Sequence, residues 1–341
     1  MVVTAVNQQV NGQAVYTRAA PIFHEEDHRI HMIIAALDYN HTGRPLSCTA
    51  DAQNVDELAR ACGAALVVNM RDEQCTREDL IQAIRQVGSK CEENDYFIFY
   101  FAGHGTNVAD ASGDEEDGLD EAFVCVNRRG EVSDTTLLTD DDFAAEILAS
   151  TKPETRVVVI ADCCHSGSIA DMGKKSWEGR EAVSISGCGD SQTTEEVGGG
   201  MGGVFTHSLL LAIEKLSKVG RDNYSVGMLF NATLHEDESV FNSSDHDLVI
   251  HMSPNFSTAG MAWPLIPPVG YVSPLSKIAQ DDEDSTKLAS PIVLERVDLT
   301  KVNQPVCVEE YVAHVQGNTL FQMKACRACS TGCSGSQCHV Q

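Results

Sequence analysis

The sequence predicts an α/β protein in which a parallel sheet is covered by helices on both faces. Two observations lead to this prediction. Short runs of valine, isoleucine and phenylalanine recur from about Arg29 to Met252, and amphipathic segments of helical length separate them. Strands and helices that alternate in this way form layered α/β folds.

The first part of this region predicts three strands with two helices between them. The strands are "IHMIIAAL" (30–37), "AALVVNM" (64–70) and "YFIFYF" (96–101), and the helices are "DAQNVDELARACG" (51–63) and "TREDLIQAIRQVG" (76–88). Thr76 and Asp79 resemble a capping box at the start of the second helix. Gly63 and Gly88 stand where the two helices should end.

The second part predicts four more strands, one more helix and two irregular segments. The strands are "EAFVCV" (121–126), "RVVVIA" (156–161), "AVSISG" (182–187) and "DLVIHM" (247–252), and the helix runs from Phe205 to Leu216. The polar, glycine-containing segment 171–181 is expected to be an exposed connector. Prolines and the acidic "DDED" predict an irregular extension after about Pro264.

Composition limits the partners and the compartment. The 341 residues include 24 basic and 50 acidic ones, and the net charge of -26 repels phosphate backbones and anionic membranes. Nucleic acid is therefore not expected as a partner. Neither a membrane span nor a signal peptide is found, so we expect a cytoplasmic protein. Its thirteen cysteines are then mostly buried thiols rather than disulfides.

The stretch "DCCHSG" carries two adjacent cysteines at the end of a predicted strand. Alternation of side chains along that strand places Asp162 and Cys164 on one face and Cys163 on the other. Cys163 continues the apolar row, whereas Cys164 lies where the strand gives way to a turn. Open parallel sheets bind their ligands at such turns, so Cys164 is the candidate nucleophile.

A thiol needs a neighbouring base or cation to become the attacking thiolate. The stretch "YFIFYFAGHG" places His104 at the end of another buried strand, and adjacent parallel strands would bring His104 beside Cys164. The amides of Gly105 and Cys164 are candidate donors to a tetrahedral oxyanion. His165 is next to the thiol in sequence, but alternation points it away. Either dyad residue alone is as often structural as functional, whereas the two strand ends together are far more specific.

The motifs "YFAGHG" and "DCCHSG" resemble those of the metacaspases, the caspase-related cysteine proteases found outside animals. The resemblance includes "LSCTADAQNV", "GDEEDGLDEAF", "LTDDDF", "SISGCGDSQTTEE" and "GGVFTHSLLLAI". It implies a caspase-like sandwich with a mainly parallel six-stranded sheet, and a monomer. It also implies peptide cleavage after Arg or Lys through a thioester acyl-enzyme, with His104 and Cys164 as the dyad.

A basic side chain at the cleaved position requires a carboxylate in the pocket, because a buried charge must be paired. Asp162 lies on the correct face for this role, whereas an aspartate-specific pocket would need arginines. The resemblance adds Cys48, Asp51 and Asp190 to the pocket, although Asp51 alone would be interpreted as a helix N-cap. Ala102 stands where many metacaspases have serine, so that serine's hydrogen bond in the pocket is not expected here.

The acidic stretches 110–121 and 140–142 lack the spacing of an EF-hand and would ordinarily be solvated loops. The metacaspase resemblance implies calcium binding there, and the match falls on Asp120, Asp140 and Asp141. The predicted function is therefore a calcium-activated cysteine endopeptidase specific for Arg or Lys. The alternative is a catalytically silent, calcium-responsive interaction protein with the same fold.

The resemblance also divides the chain into five parts. These are a short N-terminal extension (1–28), a large-subunit-like catalytic region (29–170), a basic connector (171–181), a small-subunit-like region (182–264) and a C-terminal extension (265–341). The connector contains Lys174, Lys175 and Arg180, after which such an enzyme would cleave itself, unless the segment is an ordinary basic loop. The tail is interpreted as disordered or redox-active, with a zinc site as the minority hypothesis; its candidate ligands are Cys326, Cys329, Cys333, Cys338 and His339.

Overall fold

The computed structural model describes the side chains of residues 28–277, apart from 111, 114, 116, 117, 165, 167, 188–200, 219–222 and 241–247. The backbone alone is described at 6–10, 13–17, 241, 278–281, 293–296, 311–315 and 318–319. The strands are β1 (Val6–Val10), β2 (Gln13–Thr17), β3 (Ile30–Ala36), β4 (Leu66–Arg71), β5 (Tyr96–Ala102), β6 (Gly105–Ala109), β7 (Leu119–Val124), β8 (Leu137–Thr139), β9 (Arg156–Asp162), β10 (Ala182–Ser186), β11 (Val249–Met252), β12 (Val293–Arg296), β13 (Tyr311–Val315) and β14 (Asn318–Thr319). The α-helices are α1 (Cys48–Ala61), α2 (Arg77–Gly88), α3 (Asp140–Ser150), α4 (Val204–Lys218), α5 (Val226–Glu236) and α6 (Pro274–Asp281), with 3-10 turns at Asp72–Gln74, Asp134–Thr136 and Lys175–Trp177 and a π-helical turn at Asp237–Phe241.

A six-stranded sheet with the strand order β11-β10-β9-β5-β3-β4 forms the centre of the molecule. Its neighbouring strands pair in parallel, except that β11 at one edge is antiparallel to β10. Every residue of β3 and β5 is buried, as expected for strands covered on both faces. The prediction of a mainly parallel six-stranded sheet with helices on both faces is confirmed.

Two apolar clusters lie on the two faces of this sheet. Met32 and Ile98 belong to the cluster that includes side chains of α1, α4 and α5. Ile33 and Phe99 belong to the cluster that includes side chains of α2 and α3. Consecutive strand residues enter opposite clusters because a strand repeats every two residues. Within the described residues, no helix is both long enough and apolar enough to cross a bilayer.

The structure refines two local expectations and confirms a third. The stretch "EAFVCV" contributes to β7, but this strand belongs to a separate antiparallel sheet, β6-β7-β8, which begins directly after the end of β5. The predicted cap of α2 is present, since Thr76 Oγ1 accepts a hydrogen bond from the Asp79 amide at 3.1 Å. Gly63 follows α1 with a φ of 74°, whereas Gly88 is the last residue of α2 rather than the residue beyond it.

Candidate active site

The predicted nucleophile and base follow two neighbouring strands by the same number of residues. β5 and β9 pair in parallel with Ala102 opposite Asp162. A hydrogen bond of 3.1 Å from the Gly103 amide to the carbonyl oxygen of Asp162 continues this pairing. His104 and Cys164 each lie two residues beyond the pair. Both residues are therefore at the carboxyl edge of adjacent strands, as the sequence predicts.

A backbone carbonyl fixes the tautomer of His104. Nε2 of the imidazole lies 2.8 Å from the carbonyl oxygen of Arg44. Because a carbonyl oxygen only accepts hydrogen bonds, Nε2 carries the proton of the neutral ring. Nδ1 is then the unprotonated nitrogen and is available as a base. Arg44 O thus occupies the place that a carboxylate has in a Ser-His-Asp triad.

Tyr39 supports the same histidine. Its hydroxyl accepts a hydrogen bond from the His104 amide at 2.9 Å and donates one to the carbonyl oxygen of Val124 at 2.6 Å. Burial raises the pKa of Tyr39 well above its usual range, so the hydroxyl stays protonated. Its ring centroid is 4.5 Å from that of His104, and its φ of 53° is unusual for a bulky residue.

Neither Arg44 nor Tyr39 is predicted from the sequence as a site residue. The available signal for Tyr39 is its place just after β3, the strand that pairs with β5. Side chains that follow adjacent parallel strands collect at one edge of the sheet. Nothing in the sequence marks the Arg44 carbonyl, because a backbone acceptor is present at every position.

The two adjacent cysteines occupy different environments. Cys163 is fully buried in the apolar cluster that also contains Val157 and Val159, as alternation predicts. Cys164 is partly exposed. A partly exposed thiol is accessible to a substrate, whereas a buried thiol is a packing group. His165 lies outside the described residues.

Gly105 lies against the backbone of Cys164. A Cβ atom at position 105 would be 1.8 Å from the carbonyl oxygen of Cys164, so only glycine fits. The Val124 amide donates to the carbonyl oxygen of His104 at 3.0 Å. In the antiparallel register this makes Gly105 and Phe123 a non-hydrogen-bonded pair, and the Gly105 amide points away from β7. This orientation is compatible with the predicted oxyanion donor.

Two buried acids meet at the segment 202–203. Asp51 is on α1 and Asp162 is the last residue of β9, and their exposed fractions are 0% and 4%. The Gly203 amide donates to Oδ2 of Asp51 at 2.8 Å. A Cβ atom on Gly203 would be 2.2 Å from Oδ2 of Asp162, and one on Gly202 would be 2.0 Å from Oδ1 of Asp51. The glycines therefore allow the backbone to lie directly against both carboxylates.

The rest of the predicted pocket is partly described. Cys48 is buried in the first turn of α1, the helix that carries Asp51. The interpretation of Asp51 as an N-cap is wrong, because α1 begins three residues earlier and its N-cap is Ser47. Asp190 lies outside the described residues. The same holds for the candidate zinc ligands of the tail, Cys326, Cys329, Cys333, Cys338 and His339.

Neutral donors orient Asp162. The amide and hydroxyl of Thr206 donate to its Oδ2 at 3.1 and 2.6 Å, and the hydroxyl of Thr206 accepts a hydrogen bond from Tyr100 at 2.7 Å. Burial raises the pKa of Tyr100 well above its usual range, so it remains a neutral donor. These groups orient the carboxylate without cancelling its charge. Ala102 cannot supply a hydroxyl to Asp162, its partner in the sheet, but Thr206 does.

His207 lies beside Asp51, one of the predicted pocket acids. Its Nε2 donates to the carbonyl oxygen of Met201 at 2.6 Å and lies 3.9 Å from Oδ1 of Asp51. Burial lowers its pKa, which favours the neutral ring. The contacts of His207 therefore fix the segment that leads into Gly203.

A second group of carboxylates forms an acidic cluster. Side-chain oxygens of Glu115, Asp140 and Asp171 lie within 4.8 Å of one another. Burial, with added repulsion from neighbouring carboxylates, raises the pKa of Asp140 to about 8 and that of Asp171 to about 7. The Nζ atom of Lys174 is 2.8 Å from Glu115 Oε1, 2.9 Å from Asp171 Oδ2 and 3.5 Å from Asp141 Oδ1.

The acidic cluster overlaps only partly with the calcium ligands predicted from resemblance. Asp140 belongs to it, and Asp120 is a buried neighbour whose charge raises the pKa of Asp140. Asp141 contacts Lys174. Glu115 and Asp171 are not predicted, because one lies in a long acidic run and the other in the connector. Oxygen donors from three segments fit a hard cation such as Ca2+.

The connector is less exposed than the sequence suggests. Trp177 is fully buried and belongs to one of the two apolar clusters. The guanidinium of Arg180 donates to backbone carbonyls at and beyond the C-terminal end of α3. Lys174 lies in the acidic cluster, and Lys175 is exposed. Of the three basic residues, Lys175 is thus the most accessible.

Comparison with known proteins agrees with this architecture. The family model described as the caspase domain of peptidase family C14 matches residues 28–245, more than half of the chain. Metacaspase-2 of Arabidopsis thaliana is 29% identical over 190 residues, which cover 47% of this chain and 43% of that protein. Metacaspase-1A of Aspergillus niger is 29% identical over 150 residues, which cover 41% of this chain and 36% of that protein. The chain spans less than half the length of these two relatives.

One solved structure provides a comparison of the fold alone. The crystal structure of a protein from Geobacter sulfurreducens covers 70% of this chain and 99% of its own, with a TM-score of 0.51 and 22% identity. That likeness and the match to the family model both agree with a mainly parallel sheet between helices. The chain belongs to the caspase domain family, with metacaspases among its relatives.

Proposed function

We propose that this chain is a calcium-activated cysteine endopeptidase that cleaves peptide bonds after arginine or lysine. The observation that carries the proposal is the placement of His104 and Cys164 at the ends of adjacent strands, with the imidazole proton held on Nε2 by Arg44 O. Membership of the caspase domain family and the metacaspase relatives support a cysteine peptidase.

The proposed reaction has two stages. Nδ1 of His104 takes the proton of the Cys164 thiol, and the thiolate attacks the carbonyl carbon of the scissile bond. The Gly105 amide donates a hydrogen bond to the resulting oxyanion. The C–N bond then breaks, the proton passes from Nδ1 to the leaving amine, and a thioester remains on Cys164. Water activated by His104 hydrolyses this thioester, which releases the carboxylic acid and restores the thiol.

The pocket acids account for the proposed specificity. A guanidinium or ammonium group that enters beside Asp51 and Asp162 pairs with carboxylates in a buried environment, where ion pairing is strong. An aspartate side chain would be repelled by the same charges. Cys48 and Asp190 are proposed to line the remainder of this pocket.

Calcium is proposed to bind at the acidic cluster. Glu115, Asp140 and Asp171 supply carboxylate oxygens that already lie within 4.8 Å of one another. Asp120 and Asp141 are further candidate ligands. Bound calcium would supply positive charge that offsets the repulsion among these acids. We also propose self-cleavage in the connector, where Lys175 is the most accessible of the candidates Lys174, Lys175 and Arg180.

Paired fluorogenic peptides that end in Arg, Lys or Asp test the proposal. Their hydrolysis is measured with and without calcium for the wild type, Cys164→Ala and the matched variant Cys163→Ala. We expect calcium-dependent cleavage after Arg and Lys that is lost in Cys164→Ala and retained in Cys163→Ala. Cleavage after Asp would reject the specificity. Calcium binding without any hydrolysis would favour the catalytically silent interaction protein.

A further inference from the structure

A cation that belongs to the chain itself lies in the acidic cluster. The Lys174 ammonium is within 3 Å of Glu115 and of Asp171, two of the three carboxylates that come together there. A third contact reaches Asp141 at 3.5 Å. The side chain is 29% exposed, whereas Asp171 is 5% exposed, so the ion pairs are partly shielded from water. Lys174 therefore differs from a basic residue on an open loop.

The ammonium and a divalent ion need the same oxygens. An ammonium group donates up to three hydrogen bonds, and Lys174 directs its charge at the cluster. Calcium binds six to eight oxygens at about 2.3 to 2.6 Å, and a site with few carboxylates cannot give up two of them. Both cations on the same carboxylates would also repel each other at short range. Occupation by one therefore disfavours the other.

We infer that Lys174 is an intramolecular competitor of the divalent cation, which holds the acidic cluster in the cation-free state and must leave before calcium binds. The inference rests on the proposed calcium site. Removal of a calcium ligand weakens calcium binding, whereas removal of Lys174 should strengthen it. If the Lys174 ion pairs only stabilised the structure of the cluster, their removal would weaken calcium binding.

The structure of the connector allows Lys174 to leave the cluster without movement of the surrounding backbone. The amide of Lys174 donates to the carbonyl oxygen of Asp171 at 2.9 Å, which closes a tight turn, and Trp177 anchors the chain just beyond it. The Lys174 side chain can therefore rotate into solvent while the backbone on either side stays in place. Once released, it is as accessible to a peptidase as its neighbour Lys175.

Calcium titration calorimetry of the 341-residue chain with Cys164→Ala tests the inference without self-cleavage. Lys174→Met is compared with Lys175→Met, which lowers the net charge equally but alters an exposed side chain. We expect the calcium Kd to fall about tenfold or more for Lys174→Met, within the usual range of coupling between two ligands. Lys175→Met should remain within about twofold of the parent, because the charge of an exposed side chain is screened by solvent and salt.

A second readout is the melting temperature. Without calcium, Lys174→Met should melt below Lys175→Met because its carboxylates repel one another, and saturating calcium should remove the difference. If Lys174→Met does not fold, Lys174→Gln keeps donors without charge and should show the same gain in affinity. Lys174→Arg keeps the charge and should show no gain.

Two outcomes would overturn the inference. Calcium that binds to Lys174→Met no more tightly than to Lys175→Met would mean that the ammonium supports the site rather than competes for it. Binding to none of these proteins would overturn the inference together with the calcium part of the proposed function. The peptidase part is decided separately, by the hydrolysis of Arg and Lys peptides by the wild type.

Discussion

The pocket acids and the acidic cluster both bury carboxylates, but they stabilise them in different ways. Asp51 and Asp162 accept hydrogen bonds from the Gly203 amide and from Thr206, which are neutral donors. The acidic cluster is paired with the ammonium of Lys174. Neutral donors leave the negative charge for a ligand, whereas an internal ammonium offsets it. In the proposed function the pocket acids would therefore pair with a basic side chain, whereas the cluster would have to exchange Lys174 for calcium.

This difference would separate the two proposed functions, which are substrate recognition and the response to calcium. A carboxylate oriented by neutral donors keeps its charge for an incoming cation, so the affinity of the proposed pocket would follow from that charge. A cluster with an internal cation binds only when the external cation is abundant enough to displace it. In the proposed function, the first arrangement would serve constant recognition of the substrate, and the second would serve a response to the calcium concentration.

The largest expected effect comes from Asp162→Asn. A buried guanidinium would lose its carboxylate partner, and an unpaired buried charge is strongly unfavourable, so kcat/KM for Arg peptides should fall about 100-fold. Calcium affinity should not change, because the acidic cluster is untouched. The control is Asp142→Asn, an equal charge change at a residue that is 54% exposed. Wild-type cleavage of Arg peptides by Asp162→Asn would show that another acid determines specificity.

Asp171→Asn should have the opposite pattern. It removes one charged ligand from the acidic cluster, so the calcium Kd should rise about tenfold or more, as expected for a charge-assisted contact. At saturating calcium the KM for Arg peptides should stay close to that of the wild type. Asp141→Asn should weaken calcium binding less, since Asp141 contacts the cluster through Lys174. A larger loss of affinity in Asp141→Asn than in Asp171→Asn would favour the ligand set implied by the metacaspase resemblance.

The sequence predicts the sheet and the two strand ends because their signals are local. A continuous apolar run that ends in "AGHG" or "DCCHSG" predicts a buried strand and its turn without information from distant segments. The pairing of Ala102 with Asp162 then follows once the two strands are neighbours. Family resemblance adds Cys48 and Asp51 as proposed pocket residues, which periodicity does not identify.

The remaining features depend on contacts between distant segments. Thr206 reaches Asp162, and Lys174 reaches Glu115, only because the fold brings separate segments together. A basic residue in a polar segment is most often a solvated side chain, so composition alone favours an exposed connector. The support of His104 by the Arg44 carbonyl has no sequence signal at all.

Thr206→Val should have an intermediate effect on the pocket. The change keeps the side-chain shape and the backbone contact but removes the hydroxyl donor to Asp162, so KM for Arg peptides should rise about tenfold with little change in kcat. Tyr100→Phe should have a smaller effect, because the Tyr100 hydroxyl contacts Thr206 rather than the acid. Steady-state kinetics separates KM from kcat. If Tyr100→Phe raised KM more than Thr206→Val, the Tyr100 hydroxyl would act through packing rather than through its hydrogen bond to Thr206.

The smallest expected effect concerns the charge of His207, the histidine beside Asp51. Burial lowers the pKa of His207 below its usual 6.5, and Nδ1 has no hydrogen-bond partner among the described residues. As the pH falls below 6.5, the unfolded chain takes up a proton that the folded protein does not, so the free energy of unfolding should decrease. His207→Gln should remove about 1 kcal/mol of this decrease between pH 7 and 5.5.

Urea unfolding of Cys164→Ala with and without His207→Gln measures this pH dependence. The glutamine amide can still donate to the carbonyl oxygen of Met201, which limits the loss of stability at pH 7. If His207 were instead charged and paired with Asp51, 3.9 Å away, its folded pKa would be raised. Stability would then increase as the pH falls, and the substitution would remove that gain. This result would place an internal cation in the pocket and make it resemble the acidic cluster.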